Sequence, residues 1–422
     1  MLVERKSNTI LLQKNADRAI APASTTKMVT VILALEHGNL TDSVYVSANA
    51  LNIPEDAANI KLLEGEELPL EDLLYSLMLR SANDAAIAVA EYVSGSVSGF
   101  VELMNSFVYR VGCTGTHFTN PSGLDEDGHY STAADLAIIA SYCMHNESFA
   151  RMARTTSYTI PKTNLSRARS LSSSNELLLD GAEGETSRFY PYANGIKTGT
   201  TDSAGYCLVS SATKDGVDLI AVVMNTSANG RWTDSRRLFE YGFTQYVSAT
   251  PKELFEQNPF TVDISGFSET DTQLGKLPLS LKLLSNKECY ITGTQDELDA
   301  LAYNFKSEVV IQYQRDFAAP VNAGEQMGTL TYYPAGADAV EYALIATRTV
   351  EARTDVPPTL AQIESYTYSD KNPFPRFSLE YVIIPLAVLI LLAYIFRKLW
   401  RRRKKNKVER KRVPKPKFRS YR

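Results

Sequence analysis

The stretch "APASTTKMVT", residues 21–30, sets Ser24 three positions ahead of Lys27, at the head of the apolar run "MVTVILALEHG". Apolar residues recur there at helical spacing and Gly38 closes the run, so residues 24–38 read as a helix with a hydroxyl at its start. On a helix, residues i and i+3 stack on one face. The positive end of the helix dipole disfavours an ammonium there, and burial against an apolar layer lowers its pKa further. A lysine so placed takes a proton from the serine and makes it a nucleophile. The plain alternative is a capping serine beside a solvated lysine. Spacing alone does not choose between them. "SATK" gives Ser211 and Lys214 the same separation, in a stretch that reads as a strand running into a hairpin turn.

Outward from this stretch the chain divides by texture. "LVERKSNTILLQKN" reads as two short strands around a Ser7–Asn8 turn. Helical patterns dominate residues 69–112 and 131–153. From "GIKTGTTDSAGYCLVSSATKDGVDLIAVVMN" the period changes to alternation, with Lys214-Asp215-Gly216 as a hairpin turn, and "RWTDSRRLFEYGFTQYV" returns to helix. Hairpin, helices, then hairpin plus helix describe an α+β domain over residues 1–250, a helical layer on an antiparallel sheet whose strands come from both ends. Residues 251–355 are strand-like segments such as "ECYITG", "SEVVIQYQ" and "MGTLTYY", with one helix at "TQDELDALAYN", and read as a separate β-rich domain. Residues 356–378, with Pro357, Pro358, Pro373 and Pro375, read as a linker.

The C-terminal end carries a charge asymmetry that the net −4 conceals: residues 397–422 hold 15 Lys or Arg against one acid, leaving 29 basic and 47 acidic residues before them. Directly ahead lies "LEYVIIPLAVLILLAYIF", residues 379–396, with Glu380 its only charge and Tyr381, Tyr394 and Trp400 near its ends. This reads as a single membrane-spanning helix, with the basic run as a cytoplasmic stop-transfer tail and the body outside the plasma membrane. The tail therefore points to anionic lipid, and no nucleic-acid partner is expected. "MLVERKSNTILLQKN" has no apolar stretch of export-signal length, so the natural start is expected upstream. Cys113, Cys143, Cys207 and Cys289 are widely spaced, and His37, His117, His129 and His145 show no ligand spacing, which argues against a zinc hydrolase.

Acyl transfer needs a proton relay to the leaving group and a positive anchor for a substrate carboxylate. "LMLRSANDAA" supplies Ser81 and Asn83, and "GIKTGTT" supplies Lys197, Thr198 and Gly199. A Ser-x-Asn element is weak by itself, since Ser47–Asn49, Ser173–Asn175 and Ser227–Asn229 match it too; Lys-Thr-Gly occurs once. Gly199 is read as leaving room for a bound backbone along a strand edge. The three elements, in this order and 57 and 116 residues apart, make the set that marks penicillin-binding proteins and class A β-lactamases. The wording around them resembles the low-molecular-mass penicillin-binding proteins of the serine-type D-alanyl-D-alanine carboxypeptidase family. "APASTTKMVT", "LLYSLMLRSANDAAIAVAEYV", "HFTNPSGLDEDGHYSTAADLA", "YANGIKTGTTDSAGYCLVSSA" and, in the β-rich part, "APVNAGEQMGTLTYY" carry the resemblance, over residues 5–355.

That resemblance implies Ser24 as acylating nucleophile and Lys27 as its base. It implies Ser81 as proton shuttle to the departing D-alanine and Asn83 as orienting group. Lys197 and Thr198 would bind the terminal carboxylate of a peptidoglycan stem peptide. The N–H groups of Ser24 and Thr200 would form an oxyanion hole. Arg231 resembles the family's arginine near the carboxylate site. His129 matches a segment near the cleft, with deacylation and helix capping as its two readings. β-Lactams would trap Ser24, and no metal or organic cofactor is required. A class A β-lactamase would carry Glu-x-x-Leu-Asn, whose nearest counterpart, "ELLLD" at Glu176–Asp180, lacks the Asn. A DD-endopeptidase or transpeptidase with the same residues, or a penicilloylated sensor with little turnover, are the remaining alternatives.

Overall fold

Leu219 and Ala221 pack on one side of a strand, Ile220 and Val222 on the other, and this alternation locates the chain's main sheet between two apolar layers. The structure, a computed structural model, describes residues 1–180, 187–334, 338–354 and 389–398. Met1–Arg353 form one unit and Thr354–Arg422 another.

In the first unit, β1 (Leu2–Glu4) and β2 (Thr9–Leu12) form a hairpin. Asn8 at φ 56° turns it, a conformation that Asn tolerates better than most residues. Two ribbons follow, β3 (Ser43–Tyr45) with β4 (Glu67–Pro69) and β5 (Ser157–Ile160) with β6 (Arg169–Ser172). Then β7 (Ala193–Thr201), β8 (Gly205–Lys214) and β9 (Val217–Thr226) complete a five-stranded antiparallel sheet in the order β2-β1-β9-β8-β7. Asp215 (φ 49°) and Gly216 (φ 84°) make the β8–β9 turn, the double left-handed geometry that matches strand twist.

Helices α1 (Lys27–His37), α2 (Leu70–Arg80), α3 (Asn83–Ser94), α4 (Val97–Arg110), α5 (Ala133–His145) and α6 (Glu147–Arg154) supply the layer on the Ile220 side. On the Leu219 side, α7 (Gly230–Gln245) buries Trp232 and Phe239. Helix α1 is buried on all sides over Lys27–Ala34, as a helix at the centre of such a layer must be, so its first residue, Lys27, is carried into the interior with it. Gly38 closes α1 as the sequence indicated, in an extended conformation (φ −115°), and its small size permits close packing, because a Cβ there would lie 2.7 Å from Leu70 Cδ2.

Residues from about 247 build around a core of their own, which includes Phe255, Leu277, Leu298, Phe305, Leu330 and Tyr342. Strands β10 (Val247–Ala249) and β13 (Ile291–Gly293) pair, while β11 (Thr261–Asp263), β12 (Lys276–Leu283), β14 (Val309–Tyr313), β15 (Gln326–Tyr332) and β16 (Val340–Ala346) form a sheet ordered β11-β12-β16-β15-β14. Helix α9 (Gln295–Asn304) falls where "TQDELDALAYN" placed it, capped by Thr294. Helix α8 (Pro251–Gln257) was not expected, although Thr250-Pro251-Lys252-Glu253 spells a capping box with Pro at the first helical position. Ser7 Oγ lies 2.9 Å from Thr292 Oγ1, which ties the first hairpin to β13.

In the second unit residues 389–398 are helical with exposed apolar side chains, and the rest of the expected 379–396 span lies outside the described residues. Among the described residues no single helix is long and apolar enough to cross a membrane.

Candidate active site

Within residues 22–34 every residue except Ser24 is buried. The helix does not begin at Ser24 as expected. Ala23–Thr26 form a 3₁₀ turn and α1 starts at Lys27. Ala23 is left-handed (φ 50°), an uncommon conformation for a residue with a Cβ, and it turns the chain just before the serine. Two glycines hold this turn from outside. A Cβ at Gly123 (φ 79°) would lie 1.9 Å from Ala23 O, and one at Gly199 would lie 3.0 Å from Pro22 O and 3.2 Å from Ser24 N. Gly199 thus also lets β7 press against the protein's own serine turn.

Lys27 Nζ lies 2.9 Å from Ser24 Oγ, 2.8 Å from Asn83 Oδ1 and 2.5 Å from Ser122 O, in a fully buried position. Burial, reinforced by the nearby Lys197, holds its amine well below the ordinary lysine range, and the Asp84 carboxylate opposes this only in part. A neutral amine has two N–H donors and one lone pair. Asn83 and Ser122 take the donors, which leaves the lone pair for the hydrogen of Ser24 Oγ. Sequence reasoning missed the Ser122 carbonyl. Its signal was the "NPSG" turn, where Asn120 Oδ1 accepts from Ser122 N and Gly123 N and so aims the peptide oxygen at the lysine.

Ser81 breaks α2 from α3 in a left-handed conformation (φ 58°, ψ 33°), and its Oγ is buried with no hydrogen-bond partner. Asn83, the first residue of α3, donates from Nδ2 and from its backbone N to Ala58 O, both at 2.8 Å. With its amide nitrogen fixed there, its oxygen end must face Lys27. Asp84 holds the same loop by accepting from Ile60 N and Leu62 N.

Lys197 and Thr198 lie on β7, the last strand of the sheet, so among the described residues one of its edges has no strand partner. Lys197 is 1% exposed, and burial, then the charge of Arg231, brings its pKa down to about 7. Arg231, in the first turn of α7, donates from Nη1 to Thr200 Oγ1 (3.1 Å), its guanidinium lying over the Trp232 and Tyr206 rings. The structure thus brings Ser24 together with Lys27 and Asn83, and β7 against the Ser24 turn.

His129 is different. Thr119 N donates to its Nδ1 at 3.0 Å, so the ring hydrogen sits on Nε2 and points to Thr26 Oγ1, 2.9 Å away. Burial drives its pKa down to about 4, keeping it neutral. Both ring nitrogens are held by these contacts, and α5 is capped by Thr132 rather than by His129. His129 braces the serine turn from the 117–130 loop.

The other Ser-x-Asn elements separate cleanly. Ser47 and Asn49 both bond Glu91, and Ser227 Oγ accepts from Gly230 N at the start of α7. Ser173–Asn175 borders the site, with Ser174 Oγ 2.8 Å from Thr198 Oγ1.

Comparison with known proteins gives one answer. A family model described as D-alanyl-D-alanine carboxypeptidase matches residues 1–228. D-alanyl-D-alanine carboxypeptidase DacF of Bacillus subtilis is 31% identical over 336 residues, 78% of this chain and 79% of the relative. D-alanyl-D-alanine carboxypeptidase DacA of Haemophilus influenzae is 30% identical over 374 residues, 84% of each chain. Among solved structures, penicillin binding protein 5 from Haemophilus influenzae matches with a TM-score of 0.55 and 29% identity, over 83% of this chain and 96% of that one. The Streptomyces K15 DD-transpeptidase matches with a TM-score of 0.53 and 30% identity, over 58% of this chain and 95% of that one.

Proposed function

This chain belongs to the D-alanyl-D-alanine carboxypeptidase family, and from that premise we propose the chemistry of its cleft. The protein is a serine-type carboxypeptidase that removes the terminal D-alanine from peptidoglycan stem peptides. The observation that carries the assignment of residues is the buried Lys27 amine, which lies within hydrogen-bond distance of Asn83 Oδ1, Ser122 O and Ser24 Oγ together.

Ser24 Oγ attacks the carbonyl carbon of the penultimate D-alanine as its proton passes to Lys27 Nζ. The N–H groups of Ser24 and Thr200 stabilise the developing oxyanion, the largest single contribution expected in acyl transfer. Ser81, whose hydroxyl lacks a partner in the resting site, hands a proton to the departing nitrogen, and the peptide C–N bond breaks. D-alanine leaves and an ester remains on Ser24. Water then adds to that ester, its proton returning through Lys27, and releases the shortened peptide with a free Ser24. Lys197 and Thr198 hold the terminal carboxylate, with Arg231 and Thr200 beside them. Binding that carboxylate raises the Lys197 pKa and keeps it charged. A β-lactam follows the first half of this path and stays on Ser24.

Residues 1–250 are read as the catalytic domain and 251–355 as a separate β-rich domain. Residues 356–378 serve as a stalk and 379–396 as a single-pass anchor, with 397–422 cytoplasmic. The apolar run and the basic run after it support this placement. The test is D-alanine release from a pentapeptide ending in D-Ala-D-Ala, by the full chain and by Ser24→Ala. Release that vanishes in the variant supports the assignment. Labelling of Ser24 by a fluorescent penicillin without release shifts it to an endopeptidase, a transpeptidase or a sensor, and absence of both overturns it.

A further inference from the structure

Ser174 stands at a junction that the chemistry above does not use. It follows the β5–β6 ribbon, in one of the Ser-x-Asn elements that sequence left unassigned. Its backbone N donates to Leu79 O at 3.1 Å, two residues before Ser81. Its Oγ lies 2.8 Å from Thr198 Oγ1 on β7. One residue thereby ties the end of the helix that presents Ser81 to the strand that presents Lys197 and Thr198.

The segment is built to hold that position. Ser173 N donates to Thr156 O, Asn175 N to Ser173 Oγ, and Leu177 N to Asn175 Oδ1. Asn175 is buried, whereas Ser174 is exposed, so its side chain sits on the open rim beside a buried threonine. A serine whose backbone is pinned on one side of a cleft, and whose hydroxyl meets a site residue on the other, differs from a solvated loop serine.

We propose that Ser174 is a positioning residue for substrate capture, acting by donating its hydroxyl hydrogen to Thr198 Oγ1 so that the Thr198 hydrogen is turned out toward the substrate carboxylate. The inference rests on the functional reading above, in which Thr198 binds that carboxylate. A threonine hydroxyl has one donor and two acceptor positions. Left alone, its hydrogen turns toward whichever acceptor is nearest, such as a neighbouring carbonyl or water. With one acceptor position filled by Ser174, the rotor is biased and the donor is ready before substrate arrives. Such pre-orientation acts on binding of the carboxylate, which is present in the ground state and the transition state alike, so it belongs to KM more than to kcat.

The experiment is a double-mutant cycle on the full chain, with D-alanine release from a D-Ala-D-Ala pentapeptide as the readout and fluorescent-penicillin acylation beside it. Ser174→Ala is expected to raise KM about three- to tenfold with kcat within about twofold, the size of one neutral hydrogen bond. Ser174→Thr, which keeps the hydroxyl, restores the wild-type KM. In a Thr198→Val background Ser174→Ala adds less than about twofold. An effect that persists undiminished in the Thr198→Val background, a fall confined to kcat, or unchanged kinetics overturns the inference, the first because it would mark Ser174 as a prop for the loop alone. If the wild-type chain neither releases D-alanine nor takes the penicillin, the functional reading itself has failed, and the two failures are thereby told apart.

Discussion

Two Ser-x-x-Lys pairs occur in this chain, and their fates differ. Ser24 and Lys27 meet at 2.9 Å, in a 3₁₀ turn that runs into a buried helix. Ser211 and Lys214 lie on β8, where residues three apart point to opposite faces. Ser211 is buried and its Oγ donates to Asn194 Oδ1, while Lys214 lies over the Tyr192 ring. The same four-residue pattern thus makes a contacting pair or two unrelated side chains, according to the backbone period beneath it. Burial then separates the lysines further, since only Lys27 is withdrawn from water on all sides.

The comparison breaks most visibly at the serines. Ser24→Ala is expected to lower D-alanine release by at least about 10³-fold, while Ser211→Ala stays within a few-fold of wild type, both read from kcat/KM. The lysines come next. Lys27→Arg keeps a positive charge that cannot be given up, and the loss should be about 10²–10⁴-fold, whereas Lys214→Arg should be silent. If Lys27→Arg retained activity, the neutral-amine base would be wrong.

Below these in size stands the packing that separates the two turns. Gly123→Ala forces a Cβ into Ala23 O at a left-handed position, so it should lower chemical-denaturation stability by more than about 2 kcal/mol and slow penicillin acylation. Gly216→Ala is also left-handed but meets nothing within 4 Å, so about 1 kcal/mol is expected.

A second buried lysine sharpens the role of desolvation. Lys197 has a pKa of about 7 in the folded chain, below the roughly 10.4 of an unfolded lysine. Folding therefore releases a proton from it at any pH between these values. The stability penalty is small near pH 10, grows as pH falls toward 7, and is constant below that. Lys197→Met should raise Tm by roughly 2–4 °C for each kcal/mol recovered, more at pH 7 than at pH 10, at the expense of substrate binding. In kinetics, kcat/KM should fall as pH rises through about 7, where the free enzyme's Lys197 loses its proton. Lys197→Arg should move that alkaline fall to higher pH.

Much of this was legible because it is local. The alternation of Leu219 to Val222, the Asp215–Gly216 turn and the apolar run of α1 each declare a backbone period within a few residues, and the order of Ser24, Ser81 and Lys197 can be counted along the chain. The misses were mostly contacts between distant segments. The Ser122 carbonyl reaches Lys27 across 95 residues, and Ser174 meets Thr198 from a loop that looked like a decoy. The contact between Gly199 and the turn at Pro22–Ser24 was invisible too, because the two lie far apart along the chain. Helix α8 is the exception, a local signal present in Thr250–Glu253 and passed over.

The sequence by itself determined which residues could be nucleophile, base, relay and anchor, and on which kind of backbone each would sit, since period and capping depend only on neighbours along the chain. Only the tertiary structure set the Lys27 amine in a buried, acceptor-lined site and left Lys214 partly exposed at the surface. The proton affinity of an amine depends on how much water is removed from around it and on which acceptors face it. Those are supplied here by Asn83, Ser122 and the layer around α1, brought in from far along the chain.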